Sequence, residues 1–358
     1  MKGKIFEKLK KRLPGIRKNV LLKNYTTFKI GGRAKYFFVA TTKKDLIKTI
    51  ETAKNFQLPF FVLGGGSNLL ISDDGFNGLA IKIKNCKPST KAKLGVGLVP
   101  HRPARSGTGT GLKIVNCKVN AEAGVPLNKL VSISVRNSLT GMEWAAGIPG
   151  TIGGAIYGNA GAFGKSMADV VKKVEVLEFR KRSPLKSRFL KNNDCKFGYR
   201  DSIFKRKKNL MILSVEIQLE GSKKKEIQKK IKEYLNYKKK NQPLNYPSAG
   251  SIFKNFTPYR PARSGTGAGP KERRELKKFK KTGIIPAAWL IEKCGLKGKR
   301  IGGAKISEKH ANFIVNSGNA RAKNVKELIN LTKKQVKKKF NIKLDEEIRY
   351  LGFRPTKF

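Results

Sequence analysis

The stretch that decides the fold is Val62-Leu63-Gly64-Gly65-Gly66-Ser67-Asn68-Leu69-Leu70. Residues 60–63 have the apolar and aromatic character of a strand, three glycines interrupt it, and polar residues follow. Without side chains, the backbone N–H groups of Gly64, Gly65 and Gly66 can approach an anion closely, while Ser67 and Asn68 add donors. The loop therefore suits a pyrophosphate; it also reads as a tight turn. A Rossmann site is disfavoured, because the G-x-G-x-x-G spacing begun by Gly64 and Gly66 meets Leu69 where its third glycine belongs.

Outward from this loop the pattern mixes helix and strand without a clean βαβ series. Residues 36–40 predict a strand and 43–55 a helix; 127–137 predict another helix, and 174–179 and 210–219 two more strands. From Lys223 onward, Ile227, Ile231, Tyr234 and Leu235 share one helical face, with lysines on the other as a solvated surface. Asn324 with Glu327 three residues later resembles a capping box opening a helix that runs to Phe340. A second glycine field, GMEWAAGIPGTIGGA at 141–155, is too long and apolar for a linker and suits backbone packed against a flat ligand. Its continuation ends in Gly164-Lys165-Ser166, but Asn159 stands where a Walker A loop needs glycine, which excludes a nucleotide triphosphatase of that kind.

The 358 residues suffice for two or three folded units, and 39% hydrophobic residues supply apolar surface enough for a core. With 79 Lys and Arg against 24 Asp and Glu, the formal charge of +55 favours anionic partners. The excess is spread along the whole chain and not gathered in one basic arm. Cys86, Cys117, Cys195 and Cys294 form no C-x-x-C pair, and His101 and His310 are the only histidines, so no metal site is expected. The lysine-rich start lacks the apolar core of a secretory signal, and no stretch is apolar enough to span a bilayer. A reducing, cytoplasmic setting with thiols and no disulfides is the expectation. PHRPARSGTGTG at 100–111 returns as PYRPARSGTGAG at 258–269, identical at ten of twelve positions. Two such copies cannot stack as a solenoid and read as low-complexity loop insertions.

The two glycine fields, together with TFKIGGRA at 27–34, resemble the flavin-binding half of the MurB family of UDP-N-acetylenolpyruvoylglucosamine reductases. Downstream, YRDS at 199–202 resembles that family's YR-x-S motif, AGSIFKN at 249–255 its AGS-x-F-K-N motif, and LDEEIR at 344–349 its closing L-x-x-E-[IV]-R. IGGA at 301–304 and KHANF at 309–313 complete the set, so the motifs run in order over nearly the whole chain apart from the repeats.

The resemblance implies an α+β fold in which a p-cresol methylhydroxylase-type FAD-binding domain (residues 23–206, after a helical lead, 1–22) precedes a MurB-type substrate domain (207–358). The insertions would fall near 87–112 and 257–282. It implies FAD and NADPH as cofactors and UDP-N-acetylglucosamine enolpyruvate as substrate in peptidoglycan synthesis, with no membrane or dedicated nucleic-acid partner. Gly64, Gly65, Gly66, Ser67, Asn68, Gly147, Gly150, Thr151, Gly153 and Gly154 would contact the cofactor, and Tyr199, Lys254 and Asn255 the substrate. Arg200 matches the family arginine aimed at developing enolate charge, Ser251 its proton donor, and Glu347 the glutamate working with that arginine. Phe256 departs from the pattern, standing where the family has proline, and the second repeat begins two residues later. The 51 positions from Arg200 to Ser251 leave no room for an extra substrate loop, so the chain resembles the shorter, second type of the family. Three other readings stay open on the residues: a basic nucleic-acid-binding protein, another flavin oxidase of the same fold, and a MurB-like flavoprotein inactivated by its insertions.

Overall fold

A computed structural model describes residues 2–84, 96–99, 117–179, 184–257 and 270–353. Both copies of the repeat, Cys86 and His101 lie outside the described residues. The chain divides into two compact units that interleave along the sequence. The first comprises Met1–Lys18, Lys35–Gly65 and Gly78–Lys238; the second comprises Asn19–Ala34, Gly66–Asn77 and Lys239–Phe358.

In the first unit the helix Lys43–Asn55 begins where expected because Thr42 and Asp45 cap it reciprocally: Asp45 N–H donates to Thr42 Oγ1 at 3.0 Å, and Thr42 N–H to Asp45 Oδ2 at 3.0 Å. Its Leu46, Ile50 and Ala53 are buried in a core shared with Leu79 and Ile81. The strand Phe60–Leu63, which delivers the chain to the glycine loop, pairs in parallel with Phe76–Ile83. A larger antiparallel sheet runs in the order Lys186–Lys191, Val171–Glu178, Leu210–Gly221, Cys117–Glu122, Val96–Val99. Leu210–Gly221 alternates buried and half-buried residues, as a strand with one covered face should, and Leu127–Arg136 lays Leu127, Leu130 and Val131 into the same core.

The second unit is built on an antiparallel sheet ordered Ser248–Ser251, Phe313–Asn316, Ala304–Ile306, Arg300–Ile301. The long helix Ala322–Phe340 buries Val325, Leu328, Ile329, Val336 and Phe340 within this unit's core. Each such side chain contributes roughly 1.5–3 kcal/mol on leaving water. Separately, the chain's closing strand Arg349–Leu351 pairs in parallel with Leu69–Ile71, directly after the glycine loop. Past the second repeat the chain is helical again at Pro270–Leu276, and Leu276 and Phe279 rest against the core.

The helix start at the far end of the sequence differs from the expected capping box. Asn324 is the third helical residue, its Oδ1 accepting Arg321 N–H at 3.0 Å, and Glu327 takes no part in the cap. The first-turn N–H groups of Ala322 and Lys323 instead donate to the two carboxylate oxygens of Asp73, at 2.9 and 3.2 Å. A carboxylate there satisfies two orphan donors and meets the positive end of the helix. It comes from a residue some 250 positions away, so local spacing could not reveal it. Asp73→Ala is expected to lower the denaturant-unfolding free energy by about 1–2 kcal/mol, and Asp73→Asn to recover most of that loss.

Candidate active site

In the first unit the two glycine fields meet backbone to backbone. A Cβ at Gly65 would lie 2.4 Å from Gly150 Cα, and one at Gly64 2.5 Å from Thr151 Oγ1. Glycine at these positions therefore serves loop-to-loop approach, an advantage the sequence pattern alone does not separate from ligand approach. Gly150 adopts φ +134, and its carbonyl accepts Leu127 N–H at 3.0 Å. Thr151 then caps the short helix Ile152–Gly158, accepting Gly154 N–H at 3.4 Å, while Gly153 packs against Ala123. Gly147 adopts φ +72 beneath Leu235.

Tyr199 and Arg200 form the two corners of a tight turn closed by Gly198 and Asp201, which exchange N–H···O bonds of 3.0 and 3.1 Å. Arg200 holds a left-handed φ of +53, a conformation costing a non-glycine residue on the order of 1 kcal/mol. Its Nη2 donates to Gly161 O at 2.9 Å, and its guanidinium lies 5.4 Å from the Tyr199 ring centre. Two residues not singled out in advance hold this turn. Buried Ser202 donates to Tyr157 O at 2.7 Å, and buried Asn159 donates to Gly198 O at 2.9 Å while accepting Ala168 N–H at 3.0 Å. Ser202 was visible as the serine of the YR-x-S motif; Asn159 had only its place in a glycine run as a signal.

The remaining candidates belong to the second unit, into which the chain passes between Gly65 and Gly66. Gly66 adopts φ +66 so close to Tyr25 O that a Cβ would stand 2.1 Å away, and its own carbonyl accepts Thr27 N–H at 3.1 Å. Ser67 follows at the half-buried tip of the loop. Asn68 Nδ2 donates to Glu347 O at 3.1 Å, and Asn68 O accepts Arg349 N–H at 3.2 Å. On the other edge of the same closing segment, Glu347 N–H donates to Ile252 O at 2.8 Å and Lys254 N–H to Asp345 O at 2.8 Å. Ser251, at the end of its strand opposite Phe313, is thus one residue from a backbone hydrogen bond made by Glu347.

Buried Asn312 bridges this strand with both ends of its amide, accepting Phe253 N–H at 2.9 Å and donating to Phe253 O at 2.8 Å. Asn255 Oδ1 accepts Ala287 N–H at 3.2 Å, at the start of a helix whose N-cap, Pro286, offers no side-chain cap. Phe256, in the family's proline position, donates its N–H to Ile285 O at 2.9 Å and accepts in return at 2.8 Å. Proline could not make the first of these bonds.

Comparison with known proteins gives two family matches. Residues 242–351 match the C-terminal domain of UDP-N-acetylenolpyruvoylglucosamine reductase, and 109–180 match an FAD binding domain. The UDP-N-acetylenolpyruvoylglucosamine reductase of Caldanaerobacter subterraneus subsp. tengcongensis is 39% identical over 334 residues, 93% of each chain. That of Anoxybacillus flavithermus is 34% identical over 346 residues, 97% of each. The crystal structure of the Thermus caldophilus reductase (MurB) superposes with a TM-score of 0.65 at 30% identity, covering 94% of this chain and 99% of that one. The chain belongs to the UDP-N-acetylenolpyruvoylglucosamine reductase family.

As a member of this reductase family it is an FAD-containing oxidoreductase, and its fold joins an FAD-binding domain to a MurB C-terminal domain. The FAD-domain match takes in Gly147, Gly150, Thr151, Gly153 and Gly154; the C-terminal match takes in Ser251, Lys254, Asn255 and Glu347. Tyr199 and Arg200 fall in neither, nor do Gly64 to Asn68. One polar atom beside the glycine loop is left for the donor of a bound ligand. Asn68 Oδ1 is buried without a hydrogen-bond partner, and because Glu347 O fixes the amide's orientation, the orphan atom is an acceptor. A hydroxyl or N–H of a bound ligand would satisfy it; a bare phosphate oxygen would not.

Among the described residues no group of three His, Cys, Asp or Glu is placed to hold a metal, and no helix is long and apolar enough to cross a membrane. Cys117, Cys195 and Cys294 are free thiols, and burial with the neighbouring Asp194 charge pushes Cys195 up to about 12.

Two predictions arise from this geometry. Gly65→Ala drives a methyl into the Gly150 backbone, which no rotamer can relieve, so the purified protein is expected to retain well under half of the wild-type bound flavin by visible absorbance. Burial lowers the Lys238 ammonium to about 8. Between that value and the unfolded 10.5 the native state has released a proton that the unfolded chain keeps. The stability of wild type relative to Lys238→Met should accordingly rise as pH is raised from 8 to 10.5, read by denaturant titration at several pH values.

Proposed function

We propose that this flavoenzyme reduces UDP-N-acetylglucosamine enolpyruvate to UDP-N-acetylmuramate with NADPH as reductant, in the cytoplasm, as a step in peptidoglycan precursor synthesis. The names carried by relatives that align over more than nine-tenths of the chain support the substrate. The observation that carries the reading is the pairing, inside the second unit, of the segment bearing Glu347 with the strand bearing Ser251. A proton donor and a carboxyl are thereby held on adjacent hydrogen-bonded backbones, as a saturation reaction that creates and quenches an enolate requires.

FAD, when bound, supplies hydride exchange between the nicotinamide and the β carbon of the enolpyruvyl ether. The chain's own residues handle the charge and the proton. Arg200, pre-set by its turn and its bond to Gly161 O, meets the negative charge that grows on the substrate carboxylate. Ser251 Oγ gives the proton to the α carbon, and the ammonium of Lys254, three residues on, favours the alkoxide left behind. Glu347 meets the enolate through a protonated or hydrogen-bonded carboxyl. Tyr199, Lys254 and Asn255 contact the substrate, and the glycine fields with Ser67, Asn68 and Thr151 contact FAD.

The test separates two half-reactions under anaerobic conditions. NADPH should bleach the flavin of the wild type, and the enolpyruvyl substrate should restore its colour. In Ser251→Ala the bleaching is expected to proceed at the wild-type rate while restoration slows by about 10²–10⁴-fold, the usual worth of a positioned acid. Bleaching without restoration in the wild type would point to a different electron acceptor. Absence of flavin would overturn the reading altogether.

A further inference from the structure

The helix Lys224–Asn241 carries eight lysines, and seven of them are exposed. The eighth, Lys238, is 5% exposed. It continues the inward stripe Ile227, Ile231, Tyr234 at helical spacing, a position where the pattern asks for an apolar side chain. Among the described residues no acidic side chain forms an ion pair with it. An unpaired ammonium is costly to bury, so its retention calls for a compensating use.

Its contacts supply one. Lys238 Nζ donates to Ala146 O at 2.5 Å and lies 3.5 Å from Trp144 O. Both carbonyls belong to the turn that leads into Gly147 and Gly150. Within that turn Glu143 accepts Gly141 N–H at 2.8 Å, and Trp144 Nε1 donates to Gly141 O at 3.0 Å. The ammonium also lies 5.7 Å from the ring centre of Phe163, which stacks on Tyr234 at 4.0 Å. Phe163 adopts φ +54 in the second arm of the same glycine field, between Gly161 and Gly164. One side chain thus reaches both arms of the field from a helix some 90 positions away.

We propose that Lys238 is a positioning residue for the cofactor: its ammonium holds the 144–147 backbone, and with it Gly147 and Gly150, in the geometry that binds FAD. This rests on the reading that the glycine field contacts FAD. The alternative, that Lys238 only fills space, predicts that an apolar residue of similar length serves as well.

The test measures FAD binding to the apoprotein by flavin fluorescence quenching, alongside thermal unfolding of the same apoproteins, for Lys238→Met, Lys238→Arg and, as a control on the field itself, Gly150→Ala. Lys238→Met removes a buried charge and is expected to leave the apoprotein at least as stable as wild type, yet to weaken FAD binding tenfold or more. Lys238→Arg, which keeps the donors and the charge, is expected to recover most of that affinity. If Lys238→Met binds FAD as wild type does while Gly150→Ala binds weakly, the proposal is overturned and the field's role stands. If both bind normally, the field's role fails and takes the proposal with it. A weak Lys238→Met that Lys238→Arg does not rescue also overturns the assignment to the ammonium. Should Lys238→Met not fold, Lys238→Leu replaces it; failure of both makes Lys238 structural and counts against the proposal.

Discussion

The second unit depends on a segment of seven residues that is hydrogen-bonded along both edges. Residues 345–351 accept and donate toward Ile252 and Lys254 on one side, and pair with Asn68, Leu69, Leu70 and Ile71 on the other. Backbone bonds of this kind leave little freedom, because each unmade bond in a buried place costs the full desolvation of its groups. Asn68, the strand ending in Ser251 and the glutamate at 347 are therefore set by one ladder, although some 280 positions separate its outer members. Asn312 adds a side-chain amide that copies the ladder on the far edge, gripping Phe253 by both its N–H and its carbonyl.

In the first unit the equivalent constraint is steric. Gly65 lies so close to Gly150 that main chain occupies the space of a side chain, and Gly64 leaves its own to the Thr151 hydroxyl. Close-packed main chain of this kind gives a stiff wall. The turn at Tyr199 and Arg200 is fixed by the same economy of partners. Buried Asn159 donates to Gly198 O just before it, buried Ser202 just after it donates to Tyr157 O of the helix Ile152–Gly158, and the two keep Arg200 in a left-handed conformation it would not adopt alone. The positive charge of the chain enters this picture mostly as solvated surface, with Lys238 the informative exception.

Much of the local structure was legible beforehand because its causes are local. The helix at 43–55 starts at a Thr-x-x-Asp cap and stops where its apolar stripe stops; the strands at 60–63 and 210–219 announce themselves by composition. The start of the long helix near the chain's end was misplaced, since Asn324 and Glu327 have the right spacing for a cap but the partner used is Asp73. Lys238 gave no signal amid seven solvated lysines, and Asn159 was hidden in a run read for its glycines. Each omission has one cause: the group that decides the residue's role is distant in sequence.

By itself the sequence determined the reductase family, the flavin domain, the element types and the list of candidate residues, because these rest on motif chemistry and on periodicities of two and 3.6 that a chain carries wherever it folds. Only the tertiary structure decided which of those residues share a backbone ladder, that the chain interleaves between two compact units and crosses between Gly65 and Gly66, and that a buried amide bonds Phe253 while a buried ammonium bonds Ala146 O. Such contacts are made between segments whose separation in sequence says nothing of their distance in space, and their energy appears only once both partners have left water.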